Sequence, residues 1–286
     1  MMGLLKIGFH VSIIGRIDEA VDRAVELGCN TFQVFTRNPR SWKAEKLNPE
    51  ETEAFIEKVE KFDMKPIFAH MPYLANLASP RPNIYSLSVE TLKMELERCK
   101  VLRIPYLVTH LGSHLGAGKK EGFKRIIQAI DEAYRSLGEE VMLLLENTAG
   151  TRNSMGSSFE DIKHIIDNLS SPEHVGVCFD TAHGYAAGYD LRTHVAVQET
   201  IRRFDETIGF EKLWLIHLND SRGGLGSHID RHEHIGLGKI GEEGFKAILK
   251  SKLTHLPLIM ETPIDDRRSD IENLLKVLEL AELRKD

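Results

Sequence analysis

The segment from residue 213 to residue 238 carries side chains that could hold a metal ion. An apolar run, LWLI, ends at His217, and a glycine-rich stretch then leads to Asp230 and His232. Imidazole and carboxylate groups are the usual non-sulfur ligands of zinc and manganese. A strand that ends at His217 and a loop that holds Asp230 and His232 would build such a site. A solvated loop that happens to be rich in histidine and aspartate is the alternative.

Five further apolar runs end in a side chain of the same chemical kind. The residues that follow or close these runs are His70, His110, Glu146, Asp180 and Glu261. A single polar residue at a strand end is common, but six of metal-ligand type are hard to assign to turn chemistry. Close by, His183 lies three residues after Asp180, and His232 lies two residues after Asp230. This set is too large for one tetrahedral ion and suits two or three ions that share a bridging carboxylate.

Apolar runs alternate with segments of helical spacing along the whole chain. The runs that predict strands lie at residues 4–9, 31–35, 66–69, 106–109, 141–145, 175–179, 213–216 and 258–260. Strongly apolar strands that alternate with helices indicate a parallel sheet covered by helices. Eight such units in 286 residues predict an α/β protein with a single (β/α)8 TIM barrel over residues 1–286. The alternative is an open doubly wound sheet. That fold would be expected to have a G-x-G-x-x-G turn after an early strand, and the turn after the first predicted strand has no such motif.

The composition indicates the cellular compartment of the protein but does not identify its binding partner. Cys29, Cys99 and Cys178 are few and far apart, which indicates reduced thiols and a cytoplasmic protein. We expect no secretory signal and no membrane span. The formal charge of −6 argues against a nucleic-acid partner only if the site holds no cations. A monomer is the expectation for a barrel whose mouth is open to its substrate.

The predicted barrel brings the candidate ligands together at its C-terminal mouth, where active sites of this fold lie. Three divalent cations, about +6 in total charge, would face four ligand carboxylates and leave a positive pocket that favours phosphate. Cations in such a site can lower the pKa of water toward about 7 and stabilise the leaving oxygen. The residues by themselves therefore indicate metal-assisted hydrolysis of a phosphate ester.

The chain resembles the endonuclease IV family of apurinic/apyrimidinic endonucleases almost from end to end. The motifs that carry the resemblance are IGFHVS at 7–12, FDTAHGYAAGYD at 179–190, HLNDS at 217–221, DRHEHIG at 230–236 and METP at 260–263. The resemblance implies a barrel with three zinc ions, with manganese as the alternative at one position. It also implies cleavage of duplex DNA on the 5′ side of abasic sites, which leaves a 3′-hydroxyl and a 5′-deoxyribose phosphate.

The resemblance also implies a role for each matching position. His70, His110 and Glu146 would hold the first ion, and Glu146 would bridge to a second ion completed by Asp180, His217 and Glu261. His183, Asp230 and His232 would hold the third ion. Glu261 and Glu146 would be the catalytic carboxylates, with Glu261 helping to align the attacking hydroxide.

Further positions match parts of the family that support the ligands or contact DNA. Arg40 and Trp42 lie in the loop after the second predicted strand, and Tyr73 and Leu74 lie in the loop after the third. In the family these loops insert into DNA and hold open the gap left by the flipped-out nucleotide. We expect four other polar residues to orient ligands from outside the ligand ring: His10, Asn219, Asp220 and His234.

Two other functions compete with this interpretation. A sugar isomerase or epimerase of the xylose-isomerase-like barrels would use Glu146, Asp180, His217 and Glu261, but it needs no third ion. A DNA-damage binding protein with a vestigial site would have lost ligands to alanine or asparagine, whereas the full set is present.

Overall fold

Eight parallel strands close into a barrel in the computed structural model, which describes residues 5–282. The barrel strands are β1 (Ile7–Val11), β2 (Phe32–Val34), β3 (Ile67–His70), β4 (Tyr106–His110), β5 (Met142–Glu146), β6 (Val175–Asp180), β7 (Leu213–His217) and β10 (Leu258–Met260). Their order around the barrel is β1-β10-β7-β6-β5-β4-β3-β2. The predicted (β/α)8 barrel is confirmed. Leu4, the first residue of the predicted first strand, lies outside the described residues.

Helices cover the outside of the barrel. They are α1 (Glu19–Glu26), α2 (Pro49–Lys61), α3 (Pro82–Leu102), α4 (Lys119–Leu137), α5 (Phe159–Asp167), α6 (Thr181–Ala187), α7 (His194–Thr207), α8 (Gly241–Leu249) and α9 (Asp270–Leu280). Asn48 begins α2 as its sequence predicts, because its side chain accepts hydrogen bonds from the backbone of Glu50 and Glu51 and Pro49 takes the first helical position. No helix within residues 5–282 is long and apolar enough to cross a membrane.

The twofold period of the strands places the candidate ligands inside the barrel. Side chains two residues apart on a strand point to the same side of the sheet. A fully buried apolar layer takes one residue from each of six strands: Phe68, Val108, Leu144, Cys178, Leu215 and Ile259. Two positions further along the chain stand six candidate ligands: His70, His110, Glu146, Asp180, His217 and Glu261. The apolar layer therefore forms a floor beneath a polar layer at the carboxyl ends of the strands.

A short antiparallel ribbon after β7 delivers the last ligand candidates to the same end of the barrel. It consists of β8 (Asp220–Ser221) and β9 (His232–Glu233), with Ser221 paired to His232. The sequence predicts a loop for this segment. The ribbon fixes the distance between His217 and His232, which a flexible loop would leave free.

Candidate metal centre

Six of the nine candidate ligands line a cavity of about 410 Å³ at the carboxyl ends of the barrel strands: His70, His110, His183, Asp230, His232 and Glu261. Its walls carry several imidazoles, the carboxylates of Asp230 and Glu261, and the aromatic rings of Phe35 and Tyr73. The floor beneath it is the apolar layer of the barrel interior. The polar groups therefore face an open space of the size of a small ligand site.

The ligand atoms fall into three groups, and within each group they lie within 4.8 Å of one another. The groups are His70, His110 and Glu146; Glu146, Asp180, His217 and Glu261; and Asp180, His183 and His232. Glu146 and Asp180 each belong to two groups, which is the arrangement of bridging carboxylates between neighbouring cations. The structure thus brings together all the predicted ligand side chains except one, Asp230.

Asp230 lies at the edge of the third group of ligand atoms. Its Oδ1 lies 3.1 Å from His183 Nε2, and its side chain is 53% exposed. In the group itself the nearby carboxylate is that of Asp180, which is fully buried. Asp230 is therefore available to a cation held by His183 and His232, while Asp180 lies between the second and third groups.

The hydrogen bonds of the imidazoles fit a bound cation. In three rings Nδ1 lies against a backbone carbonyl oxygen: Met71 for His70 at 2.7 Å, Asn147 for His183 at 3.1 Å, and Glu261 for His232 at 3.0 Å. A carbonyl oxygen only accepts, so in the neutral ring Nδ1 carries the hydrogen and Nε2 presents a lone pair. Such contacts orient imidazoles for metal binding.

Two of these lone pairs face each other. His183 Nε2 and His232 Nε2 are 3.4 Å apart, and Asp180 Oδ2 lies 3.5 Å from His232 Nε2. Electron pairs on neutral rings at this distance repel, whereas a positive charge between them, a proton or a metal cation, attracts both. The third group therefore fits a cation on its own geometry, and its oxygen and imidazole donors are those that zinc prefers.

The electrostatics of the carboxylates also suit a cation. Burial alone would raise the pKa of Glu146, but the imidazoles of His110 and His217 outweigh burial and hold that pKa well below its ordinary value. Burial likewise opposes ionisation of Glu261, and His217 and His10 lower its pKa well below the usual range. Both carboxylates are therefore ionised at neutral pH.

Two of the four predicted supporting residues, His10 and Asn219, contact candidate ligands. His10 Nδ1 lies 3.1 Å from Glu261 Oε1. Asn219 is fully buried; its amide nitrogen donates to Asp180 Oδ2 at 2.7 Å, and its carbonyl oxygen accepts from the backbone N–H of Glu261 at 2.7 Å. One asparagine thus ties together two candidate ligands from different strands.

The other two predicted supporting residues bind elsewhere, which corrects our expectation. Asp220 accepts hydrogen bonds from three backbone N–H groups within residues 236–240, at 2.9 to 3.0 Å. His234 Nε2 lies 2.9 Å from Asp265 Oδ1, and its Nδ1 lies 3.0 Å from the amide nitrogen of Asn273. The Asp220 side chain therefore holds the segment after β9, and the His234 side chain ties that segment to residues beyond β10, so neither orients a candidate ligand.

Gln33 is a site residue that the sequence analysis missed. Its buried amide on β2 lies 2.8 Å from Glu261 Oε1 and 2.9 Å from His217 Nε2. The signal was a polar residue in the middle of an apolar strand, where its side chain must point to the opposite side of the sheet from those of Phe32 and Val34.

One of the four residues predicted to contact DNA, Tyr73, lies at the rim of the cavity. The Tyr73 side chain is 63% exposed, and its ring stands edge-on to Phe35 with centroids 5.0 Å apart. Leu74 beside it and Arg40 in the segment after β2 are exposed, and Trp42 is half-buried. Exposed apolar side chains beside a cavity are typical of a binding surface.

Comparison with known proteins agrees with this architecture. The family model described as a xylose isomerase-like TIM barrel matches residues 21–281. A protein of Methanoculleus marisnigri named "Probable endonuclease 4" is 52% identical over 280 residues, which cover 97% of this chain and 99% of the relative. A relative of the same name in Nitrosopumilus maritimus is 49% identical over 97% of this chain and 100% of its own length.

Solved structures show the same relationship. Endonuclease IV from Thermus thermophilus has a TM-score of 0.86 at 35% identity, and the match covers 97% of this chain and 99% of that one. A D-tagatose 3-epimerase-like protein has a TM-score of 0.70 at 20% identity, covering 96% and 98%, and shares the fold alone. Fold and site together define a xylose isomerase-like TIM barrel with a divalent-metal centre. Within that class, the chain belongs to the endonuclease 4 family.

Proposed function

We propose that this protein is a metal-dependent endonuclease that hydrolyses the phosphodiester on the 5′ side of abasic sites in duplex DNA. The products would be a 3′-hydroxyl and a 5′-deoxyribose phosphate. The observation that carries the proposal is the sharing of Glu146 and Asp180 among three groups of ligand atoms. A sugar isomerase or epimerase has no need of the third group, so that group disfavours the alternative.

The proposed ligands follow the three groups. His70, His110 and Glu146 would hold the first cation; Glu146, Asp180, His217 and Glu261 the second; and His183, Asp230 and His232 the third, with Asp180 beside them. We propose zinc, with manganese as the alternative at one position, because the donors are imidazole and carboxylate. When bound, the cations supply positive charge for the phosphate and lower the pKa of water toward about 7.

Glu261 is the side chain proposed to orient the attacking water. Its Oε1 is engaged by His10 and Gln33, and its Oε2 lies 3.6 Å from His217 Nδ1. Contacts on one oxygen fix the plane of the carboxylate and leave the other oxygen for the reaction. Glu146 is fully buried and lies 3.1 Å from both His70 Nε2 and His217 Nδ1. Its proposed role is to hold the first and second groups in one rigid arrangement.

The rim would hold the DNA. Tyr73 and Leu74 are placed to enter the stack beside the abasic nucleotide, and Arg40 and Trp42 to line the opened gap. One chain supplies all three ligand groups, which supports a monomer. Three free, buried cysteines support a reducing cytoplasm as its location: Cys29, Cys99 and Cys178.

The test is incision of a 5′-labelled duplex that carries one tetrahydrofuran abasic analogue, with metal content measured on the same sample. Cutting on the 5′ side, with about three zinc-type ions per chain, is the expected result. The analogue cannot form an imine, so cutting excludes lyase chemistry. The same duplex with an intact nucleotide, and the protein stripped by chelator, are the controls. No cutting by a metal-filled protein would overturn the proposal and lead to assays with ketoses and aldoses.

A further inference from the structure

The side chain of Gln33 joins two candidate ligands from other parts of the barrel. It is fully buried. Its Nε2 donates to Glu261 Oε1 at 2.8 Å, and its Oε1 lies 2.9 Å from His217 Nε2. The same Nε2 lies 2.9 Å from His10 Nδ1. Strand β2 thus supplies no ligand of its own, but it contributes a side chain that contacts ligands from β7 and from the end of β10.

The two ends of this amide cannot exchange places. The ionised carboxylate of Glu261 only accepts hydrogen bonds, so the amide nitrogen must face it. The carbonyl oxygen of Gln33 then faces His217 and can only accept. His217 Nε2 therefore carries a hydrogen, so Nδ1 is the only ring nitrogen that can bind a cation. That Nδ1 lies 3.1 Å from Glu146 Oε1 and 3.6 Å from Glu261 Oε2, within the second ligand group.

We propose that Gln33 is a positioning residue that selects the Nε2–H tautomer of His217 and fixes the carboxylate of Glu261. The second ligand group is thereby oriented for a cation. The importance of this role for catalysis rests on the proposed function. Its direct consequence is a higher affinity for the metal ion. Outer partners of ligating side chains typically change metal affinity by about 10- to 100-fold.

His217 differs in this respect from three other imidazoles of the centre. The Nδ1 atoms of His70, His183 and His232 lie against backbone carbonyls, which no side-chain substitution removes. The partner of His217 Nε2 is a side chain. A single substitution at Gln33 can therefore remove the contact that selects the tautomer of His217, while the contacts that select the tautomers of the other three rings remain.

The first experiment needs only the wild-type protein. Nitrogen-15 spectra of the zinc-loaded protein, with labelled histidine rings, report which nitrogen of each ring carries hydrogen, and His217→Ala identifies the His217 signals. We expect His217 to be protonated at Nε2 and bound to zinc through Nδ1. A hydrogen on Nδ1 of His217 would overturn the inference, whatever the substitutions at Gln33 do.

The second experiment is Gln33→Met, which keeps length and approximate volume but removes both polar ends of the side chain. Gln128→Met is the matched control, because Gln128 is exposed on α4. Competition with a chromophoric chelator measures zinc affinity. We expect one zinc ion of Gln33→Met to bind about 10- to 100-fold more weakly, and the control to bind as the wild type does. Unchanged zinc affinity in Gln33→Met would overturn the inference.

These results separate the inference from the proposed function, because neither experiment contains DNA. If the wild type does not cut the abasic duplex but Gln33→Met loses zinc, the proposed function fails and the positioning role stands. If the wild type cuts and zinc affinity is unchanged in Gln33→Met, the positioning role fails and the proposed function stands.

Discussion

An ion pair buried outside the metal centre links the segment after β2 to helix α3. The side chains of Arg37 and Glu95 are 4% and 0% exposed. Arg37 Nε donates to Glu95 Oε1 at 2.6 Å, and Thr36 Oγ1 donates to Glu95 Oε2 at 2.6 Å. Arg37 Nη2 finds no hydrogen-bond partner among residues 5–282. The Glu95 carboxylate is therefore the main compensation for a buried guanidinium charge.

Glu95→Ala removes that compensation and leaves the charge of Arg37 buried. Breaking a buried pair from one side costs about 3–5 kcal/mol. In a domain of this size each kcal/mol lowers Tm by roughly 2–4 °C, so we expect a drop of roughly 6–20 °C. Replacing both charges, with Arg37→Met and Glu95→Leu together, is expected to restore most of the lost stability, because it removes the buried charge of Arg37 together with that of its partner.

Scanning calorimetry of the wild type, Glu95→Ala and the double variant, at equal metal content, measures these differences. Glu60→Ala is the control, because Glu60 pairs with Lys65 at the surface, where the side chains are 58% and 51% exposed. Its loss is expected to cost no more than about 1 kcal/mol. A Tm of Glu95→Ala within about 2 °C of the wild type would refute the reasoning. So would a double variant no more stable than Glu95→Ala.

Other substitutions test the centre, the rim and the acid stability of the fold. Glu261→Gln is expected to keep the fold and much of the metal but to lower the incision rate by several orders of magnitude, because we propose that this side chain both binds a cation and orients the attacking water. Near wild-type incision kinetics would contradict that role. Tyr73→Ser, in the Glu261→Gln background, is expected to weaken binding to abasic duplex about 5- to 100-fold through lost stacking and to leave binding to intact duplex unchanged. Fluorescence anisotropy checks both affinities, and equal losses on the two duplexes would argue against insertion. Burial would raise the pKa of Asp18, but hydrogen bonds from Lys58 and Arg16 lower it below its ordinary value. The stability from this shift is present above the unfolded pKa of about 3.9 and lost as pH falls through the lower folded pKa. In metal-free protein, Lys58→Met should therefore lower Tm at pH 7 and differ less from the wild type near pH 3; a constant difference would contradict the assignment.

Local patterns in the sequence are enough to predict the barrel and most of the candidate ligands. Apolar runs with helical segments between them follow from short-range burial, and they mark each barrel strand to within a few residues. The ligand candidates stand at the ends of these runs, as for His110 and Glu146. The strands extend through these residues, since His110 and Glu146 still pair across β4 and β5. Their side chains face inward because of the period of two along each strand.

Only the tertiary structure decided which side chains meet. Gln33 and His217 are separated by 184 positions in the chain, and they come within 2.9 Å only in the closed barrel, where β1 and β10 lie between β2 and β7. Asp220 and Asn219 are neighbours in the chain, yet Asp220 binds a loop backbone, whereas Asn219 contacts two candidate ligands. Adjacent residues on an extended backbone point in opposite directions, and what lies in each direction is set by elements distant in sequence. The sequence therefore determined the kinds of ligand and their layer, while closure of the barrel determined their grouping and support.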